Sequence, residues 1–395
     1  MAKADIGLSR PGAGGEEQSM KAATTTTSLV AWAVTAASLL GASAGRPPLS
    51  AVPANLPKEW TIPAVRIRPT AFWVTADCQY IIYAEMPRPT GKELPPSEYW
   101  VMSAATSKRT RLADLLPKAL GGGGAEIMHV LPAPAGHWVC ALVKRGTDEQ
   151  AACVVDLQTG KTWQPKIEPV GPVAWAGQDL AITVIREGAF RPICFATPFT
   201  DKKADLKAHG MLLGAASQAK ALLVMGDPAN LGKPMDAEGL AESGEVLLIG
   251  PDGKVLCRAA HPKELGEMPM ASPKGQFVAF QRQPPEEGKP FTVRVVSIAT
   301  GQKRDIEGLA LPVAVLDDGQ VICQKAVFGA GGQPLTLHDP KGGTRTLVDR
   351  AENACLVGDR LFYIVPPKDK ATETLSKVRW VRLQPPTIPK PPGEP

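Results

Sequence analysis

A short turn followed at once by a strand recurs seven times along this chain. In the clearest copy, residues 271–276 read Ala-Ser-Pro-Lys-Gly-Gln and residues 277–280 read Phe-Val-Ala-Phe. Pro and Gly favour turns, whereas β-branched and aromatic residues favour strands. A proline-rich loop and another strand pattern at 293–298 follow. The pattern therefore predicts a meander of tight antiparallel hairpins.

The other six copies share this order of residue types and lie at 75–83, 134–139, 176–182, 216–223, 316–322 and 357–363. The base spacing is roughly 41 residues, with two longer steps, which suits four short strands per repeat. Small or glycine-containing hairpin turns recur in the same register at 104–108, 157–161, 250–254, 299–303 and 340–344. The third repeat departs from this pattern around 197–200, so its outer strand is the least clearly marked.

This repeat resembles the WD-like β-propeller repeat of bacterial exported proteins, of the kind found in the TolB propeller of the Tol translocation system. The resemblance implies an all-β fold: a seven-bladed β-propeller with four-stranded antiparallel blades over residues 60–384. The last repeat lacks an outer strand, whereas residues 62–68 form a strand pattern with no local partner. We predict that this N-terminal strand pairs with residues 378–383, which closes the ring and hides two sheet edges.

The N-terminus reads as an export signal. Residues 20–44 contain a charged start, an apolar stretch and an Ala-Ser-Ala cleavage site, so we predict a signal peptide there and a periplasmic or secreted protein. The alternative is an uncleaved N-terminal membrane anchor that leaves the chain outside the cytoplasm. We predict that residues 1–19 are a disordered tail or a mis-assigned start, that 45–59 are a linker, and that 385–395 are a proline-rich disordered tail.

The charge distribution disfavours one class of partner, and the number of cysteines limits how they can pair. The net charge of +5 is spread along the chain without a basic stripe, so we expect no nucleic-acid partner. Seven cysteines follow the cleavage site, so at least one is unpaired in an oxidising compartment. Most lie inside apolar strand patterns, which favours buried thiols. A Cys140–Cys153 disulfide is the alternative.

The longer predicted loops should lie on one face of the disc. The connections between second and third strands and between blades include 87–97, 113–125, 226–243, 260–266, 284–290 and 366–376. Loops on a rigid scaffold often carry binding, although long loops are also tolerated at little entropic cost. These loops are more acidic than basic, which disfavours a polyanionic partner. The candidate binding residues are Asp227, Lys233, Asp236, Glu238, Glu286 and Glu287.

Catalytic motifs give little support for an enzyme. A G-x-S-x-G match at 41–45 straddles the predicted cleavage site, and no hydrolase segment follows the propeller, unlike in prolyl oligopeptidases. We expect no cofactor. His129 and His209 are placed on inner strands of blades two and four, where a channel metal could bind, but a structural role for each histidine is the simpler interpretation. The tryptophans are interpreted as packing residues rather than as a sugar platform.

Two hypotheses of different class follow. The first is a monomeric, non-catalytic binding or scaffolding module whose loop-rich face contacts a protein or an envelope glycan, with a membrane contact only if the N-terminal segment stays uncleaved. The second is a metal-dependent polysaccharide lyase or hydrolase that acts at the propeller channel. Carboxylates within ligand distance of His129 or His209 would favour the enzyme.

Overall fold

The protein is a seven-bladed β-propeller of four-stranded antiparallel blades. The computed structural model describes residues 56–63, 67–86, 96–146, 149–167, 170–284, 286, 289–308, 310–325, 332–367 and 375–383. The signal peptide predicted at 20–44, the segment 1–19 and the tail at 385–395 lie outside these residues. The bounds predicted for the domain therefore remain predictions.

The first strand of the chain, β1 (Glu59–Pro63), belongs to the last blade. Blade one contains β2 (Ile67–Val74), β3 (Tyr80–Glu85), β4 (Glu98–Ser103) and β5 (Arg109–Arg111). Blade two contains β6 (Ile127–Pro132), β7 (Trp138–Arg145), β8 (Glu149–Asp156) and β9 (Thr162–Trp163). Blade three contains β10 (Val170–Ala176), β11 (Asp179–Arg186), the short added strand β12 (Ala189–Phe190), β13 (Pro192–Ala196) and β14 (Lys203–His209). The outer strand that the sequence marked least clearly is therefore present.

Blade four contains β15 (Met211–Ala216), β16 (Ala221–Gly226), the short added strand β17 (Met235–Asp236), the helix α1 (Ala237–Ser243), β18 (Glu245–Ile249) and β19 (Val255–Ala260). Blade five contains β20 (Leu265–Ala271), β21 (Phe277–Arg282), β22 (Thr292–Ser297) and β23 (Lys303–Ile306). Blade six contains β24 (Ala310–Val315), β25 (Val321–Lys325), β26 (Gln333–His338) and β27 (Thr344–Ala351). Blade seven contains β28 (Ala354–Val357), β29 (Arg360–Val365), β30 (Leu375–Arg382) and, as its outer strand, β1.

Each blade buries both of its faces against its neighbours. On β7, Val139 and Ala141 pack on the blade-one side, whereas Cys140 and Leu142 pack on the blade-three side. Successive side chains of a strand point to opposite faces, so both sets must be apolar in a blade that is covered on both sides. This explains why the strands read as continuous apolar runs rather than as alternating patterns.

The turn that opens each repeat contains one residue in the left-handed region. The positive-φ residues of the seven turns are Cys78, Gly136, Gly177, Lys220, Gly275, Gly319 and Gly358. Glycine adopts this conformation without a steric cost, which accounts for its recurrence at this place in the sequence. The turn pattern that marks the repeat is therefore a backbone requirement of the hairpin.

The ring closes through β1, which pairs antiparallel with β30 from Glu59↔Arg379 to Pro63↔Leu375. The strand begins three residues earlier than predicted, and β2 already starts at Ile67 in blade one. Glu59 forms ion pairs with Arg379 (2.7 Å) and Lys377 (3.1 Å), which hold the pKa of its carboxyl below the ordinary value. The predicted bounds of the closing strand were wrong because the predicted segment spanned the end of β1 and the start of β2.

No disulfide joins Cys140 to Cys153. Cys140 lies opposite Val154 and Cys153 lies opposite Ala141, so the two side chains point to opposite faces of blade two. They belong to different apolar clusters, and all seven cysteines are free thiols. Six thiols are buried and only Cys257 is partly exposed, as the apolar strand patterns indicated.

Candidate functional site

The connections between second and third strands and between blades share one face of the disc, which we call the loop-rich face. The short turns, between first and second and between third and fourth strands, lie on the opposite face, because neighbouring strands of a blade run in opposite directions. On this face, the connection between blades one and two winds through three 3₁₀ turns at Leu112–Leu115, Lys118–Leu120 and Gly122–Gly124. The described part of this face is therefore partly folded rather than made of open loops.

The largest described structure on the loop-rich face lies at 227–243, and we call this segment the cap. Within it, β17 pairs with β12 of blade three, so the cap links two neighbouring blades. Leu240 of α1 is buried with Phe190 of β12 in the core between blades three, four and five, and Leu231 is buried in a neighbouring cluster. A segment predicted as an extended loop is thus a small folded unit seated on the propeller.

Two of the candidate binding residues hold the cap together. The Asp227 carboxylate accepts hydrogen bonds from Ala229 N (2.8 Å) and Asn230 Nδ2 (2.7 Å), and the Asn230 bond holds the pKa of that carboxyl below its ordinary value. Asp236 precedes α1, and its side chain accepts a hydrogen bond from Gly239 N (2.8 Å). Both carboxylates therefore have a structural role in addition to any contact with a partner.

The other candidates differ in position. Lys233 and Glu238 lie exposed on the cap, where Glu242 joins them one helical turn later. Glu286 is exposed in blade five and lies 3.8 Å from Lys289, and Glu287 lies outside the described residues. The structure brings Asp227, Lys233, Asp236 and Glu238 together on one folded segment, and Glu286 lies on another connection.

His129 lies on β6, the innermost strand of blade two, and is completely buried. Burial, and to a lesser extent the positive charge of Arg68, lower the pKa of its imidazole from 6.5 to about 3. The ring is therefore neutral at physiological pH. Among the described residues, no group of three His, Cys, Asp or Glu side chains is arranged to hold a metal ion.

The burial of His129 predicts an acid-sensitive contribution to stability. The unfolded chain takes up a proton on this residue below pH 6.5, whereas the folded chain does so only near pH 3. The unfolded state binds more protons in that window, so stability falls as the pH falls. Between pH 7 and pH 4, we expect the wild-type protein to lose roughly 3 kcal/mol more than His129→Leu in urea unfolding. His129→Gln provides a second variant, and equal losses for wild type and both variants would contradict the prediction.

His209 does not lie on an inner strand, contrary to the sequence prediction. It is the last residue of β14, the outermost strand of blade three, and its Nδ1 lies 3.2 Å from Phe190 O. A single residue, Gly210, separates β14 from the inner strand β15, so His209 lies just before the boundary between blades three and four. His129 and His209 are therefore on different layers of neighbouring blades and do not form one site.

A histidine that sequence analysis left without a role joins two carboxylates on the opposite face. His137 Nδ1 lies 3.0 Å from Asp77 Oδ2, and its Nε2 lies 3.1 Å from Asp156 Oδ1. Both contacts are hydrogen bonds only when both ring nitrogens carry a hydrogen. Asp77 and His137 occupy corresponding turns of consecutive repeats, so this cluster joins blade one to blade two.

An open cleft of about 570 Å³ lies between blades two and three, beside the loop-rich face. Its charged lining comes from the segment after β9, from the β11–β13 connection and from β14. Sequence analysis did not identify this site, because its residues come from separate segments and carry no motif. The only available signal was the departure of the third repeat from the regular pattern.

The described residues contain no helix that is long and apolar enough to cross a membrane. The predicted signal peptide at 20–44 was not among them, so export remains a prediction.

Comparison with known proteins finds similarity only to solved structures. The sequence matches no protein-family model and no curated protein. TolB from Acinetobacter baumannii matches with 10% identity and a TM-score of 0.38 over 78% of this chain and 81% of that chain. An oligogalacturonate lyase from Vibrio parahaemolyticus matches with 10% identity and a TM-score of 0.48 over 81% of this chain and 93% of that chain.

An acylaminoacyl peptidase from Pyrococcus horikoshii also matches, with 14% identity and a TM-score of 0.43 over 71% of this chain and 45% of that chain. At these identities the likeness concerns the fold alone. The seven-bladed propeller fold that the repeat indicated is confirmed by the strand topology itself. The neighbours include enzymes as well as TolB, so they do not distinguish a binding role from a catalytic one.

Proposed function

We propose that this protein is an exported, non-catalytic β-propeller module that binds a protein or an envelope glycan through its loop-rich face, with the cap as the main contact. The observation that carries this proposal is the folded state of the cap. A loop that is only tolerated needs no cross-blade strand pairing, whereas β17 pairs with β12 and Leu240 is buried.

A folded cap supports binding because its order is already present in the free protein. Ordering flexible side chains and loops on association opposes binding, so a surface held by the propeller loses less free energy when a partner docks. The cap holds Asp236, Glu238 and Glu242 exposed beside the single exposed Lys233. This excess of negative charge favours a partner that presents cationic groups, and complementary charges also speed the encounter.

The proposal predicts that reversing one charge on the cap strongly reduces recovery of the partner. Glu238→Lys changes an exposed side chain of α1 and leaves the buried Leu240 and the Asp236 cap intact. We expect affinity to fall by roughly tenfold or more, because attraction to a cationic partner becomes repulsion. The measurement is quantitative pull-down from an envelope extract, with co-sedimentation on isolated envelope glycan as the second arm.

Asp349→Lys is the matched control, since it makes the same charge change at an exposed position of the outer strand β27 of blade six. A partner retained by wild type and Asp349→Lys but lost by Glu238→Lys supports the proposal. Retention in the protein arm identifies a protein partner, and retention in the glycan arm identifies a glycan. Equal recovery by Glu238→Lys and Asp349→Lys would refute the cap as the contact surface.

A further inference from the structure

The turn between the third and fourth strands ends in an exposed lysine in each of blades one to four. The main-chain oxygen of this lysine accepts a hydrogen bond of 2.8 to 3.1 Å from a backbone N–H at the end of the third strand or beside it. We call these four residues the lysine arc: Lys108, Lys161, Lys202 and Lys254. They lie 41 to 53 residues apart in the sequence, so no basic stripe shows there. The shared hydrogen bond places each lysine at the equivalent point of its blade.

The lysine arc lies on the face opposite the loop-rich face, which we call the short-turn face. All its turns lie within the described residues, and besides the arc they carry three exposed lysines against three exposed aspartates: Lys220, Lys274 and Lys341, with Asp201, Asp252 and Asp318. Exposed cations therefore outnumber exposed carboxylates on this face. The acidic cap lies on the other face, so the two faces of the disc differ in the sign of their charge.

Most of the charge on the lysine arc is not neutralised by the protein. In the part of the chain that the structure describes, only Lys254 of the arc forms an ion pair, with Asp252 (3.3 Å). The exposed Asp201 pairs with Lys166 (3.1 Å), which lies outside the short turns. The less exposed Asp77 and Asp156 are both held by His137. The ammonium groups of the arc are therefore available to a partner.

Both ends of the propeller leave from the short-turn face. β30 ends there, where Leu383 N donates to Asp359 O in the turn of blade seven (2.7 Å). Since β1 runs antiparallel to β30, it begins toward the same face. Trp60 of β1 donates from Nε1 to Ala104 O in a short turn of blade one (3.1 Å). The chain that precedes β1, which includes the predicted export signal, therefore joins the propeller on the side of the lysine arc.

From these two features we propose that the short-turn face docks on a bilayer surface that carries anionic lipid headgroups. Cations at equivalent points of four consecutive blades can approach a flat anionic surface together, whereas a small anion would reach only one or two of them. Each lysine near such a surface adds to the attraction, which falls off within a Debye length. In this orientation the cap points away from the membrane. The proposal does not depend on what the cap binds.

An uncleaved N-terminal anchor, the alternative to a signal peptide, would act in the same direction. It would join the propeller on the short-turn face and hold that face at the membrane. The lysine arc gives the same orientation to a cleaved chain through charge alone. The test must therefore separate electrostatic docking from insertion of an apolar segment.

Acetylation of lysines by an amine-reactive ester, read by mass spectrometry on the full chain, shows which face meets lipid. The protein is mixed with vesicles of phosphatidylcholine that contain phosphatidylglycerol, or with vesicles of phosphatidylcholine alone. We expect the anionic vesicles to slow acetylation of the lysine arc and to leave the exposed Lys118 and Lys233 of the loop-rich face unchanged. Phosphatidylcholine alone should protect neither set, and added salt should remove the protection.

Co-sedimentation of two triple variants measures the contribution of the arc. The arc variant carries Lys108→Gln, Lys161→Gln and Lys202→Gln. The matched control removes the same charge from exposed positions of the loop-rich face and carries Lys118→Gln, Lys233→Gln and Lys289→Gln. The quantity compared is the ratio of binding to anionic and to phosphatidylcholine vesicles, from which insertion of an apolar segment cancels. We expect this ratio to fall about a hundredfold in the arc variant and less than about threefold in the control, since each lysine contributes about fivefold.

Three results would overturn the proposal: equal protection of both sets of lysines, equal protection by the two kinds of vesicle, or equal losses in the two triple variants. Binding to a soluble acidic polysaccharide without binding to anionic vesicles would assign the arc to a polyanion and would also overturn it. None of these results depends on recovery of a partner by Glu238→Lys, so the two proposals fail separately.

Discussion

Replacing Ile62 with alanine is expected to lower the free energy of unfolding by roughly 2–5 kcal/mol. Ile62 is completely buried in β1, the strand that closes the ring. It packs in the core between blades seven and one, where Trp60 and Phe362 also lie. The substitution leaves a cavity in this core and weakens the attachment of the one strand that joins the N-terminal end of the propeller to its last blade.

Urea unfolding of the wild-type protein and of Ile62→Ala measures this effect. Thr61→Ala is the matched control, because Thr61 is the preceding residue of the same strand and is exposed. We expect Thr61→Ala to change the free energy of unfolding by less than about 0.5 kcal/mol. Similar losses for Ile62→Ala and Thr61→Ala would show that burial against blade one does not contribute in the way we describe.

Replacing Gly210 with alanine is expected to destabilise the protein at the junction of blades three and four. Gly210 is the only residue between β14 and β15, and its φ is +145°. An added Cβ would lie 2.4 Å from Met225 O and 2.8 Å from Val224 Cγ1. The disfavoured backbone conformation costs about 1–3 kcal/mol. The overlap adds about 1–3 kcal/mol, since a one-residue connection cannot relax without moving a strand.

Gly232→Ala separates the steric effect from the general effect of replacing glycine. Gly232 lies in the cap, has no positive φ, and an added Cβ would meet no atom within 4 Å. Alanine restricts the unfolded chain more than glycine does, so this control should be neutral or slightly stabilising. If Gly210→Ala unfolds at the same urea concentration as Gly232→Ala, the contact between the added Cβ and Met225 O does not destabilise the protein.

The turn and strand patterns predicted the blades well because they depend on local physics. A residue with positive φ at Gly136 or Gly275 is required by the hairpin itself, and the apolar runs of β7 and β21 follow from burial on both faces. The bounds of β1 and the position of His209 were harder to predict from the sequence. Both depend on where the chain leaves one blade and enters the next, and Gly210 makes that step in one residue.

The candidate sites were less predictable from sequence than the fold. Composition correctly indicated an acidic segment at 226–243, but the cap depends on pairing between Phe190 and Met235, which are far apart in the chain. The cleft is lined by residues of β11, β13, β14 and the segment after β9, which come together only in the folded chain. No local pattern encodes either arrangement.

The sequence alone therefore determined the all-β class, the seven repeats and their hairpin turns, because each repeat carries its own turn residues and apolar runs within roughly 41 residues. Only the tertiary structure decided the register in which β1 pairs with β30, that 227–243 fold into a cap, and that separate segments line a cleft between blades two and three. These features arise where separate segments come together in space. Their free energy comes from contacts between residues distant in the chain, which periodicity and local propensity do not record.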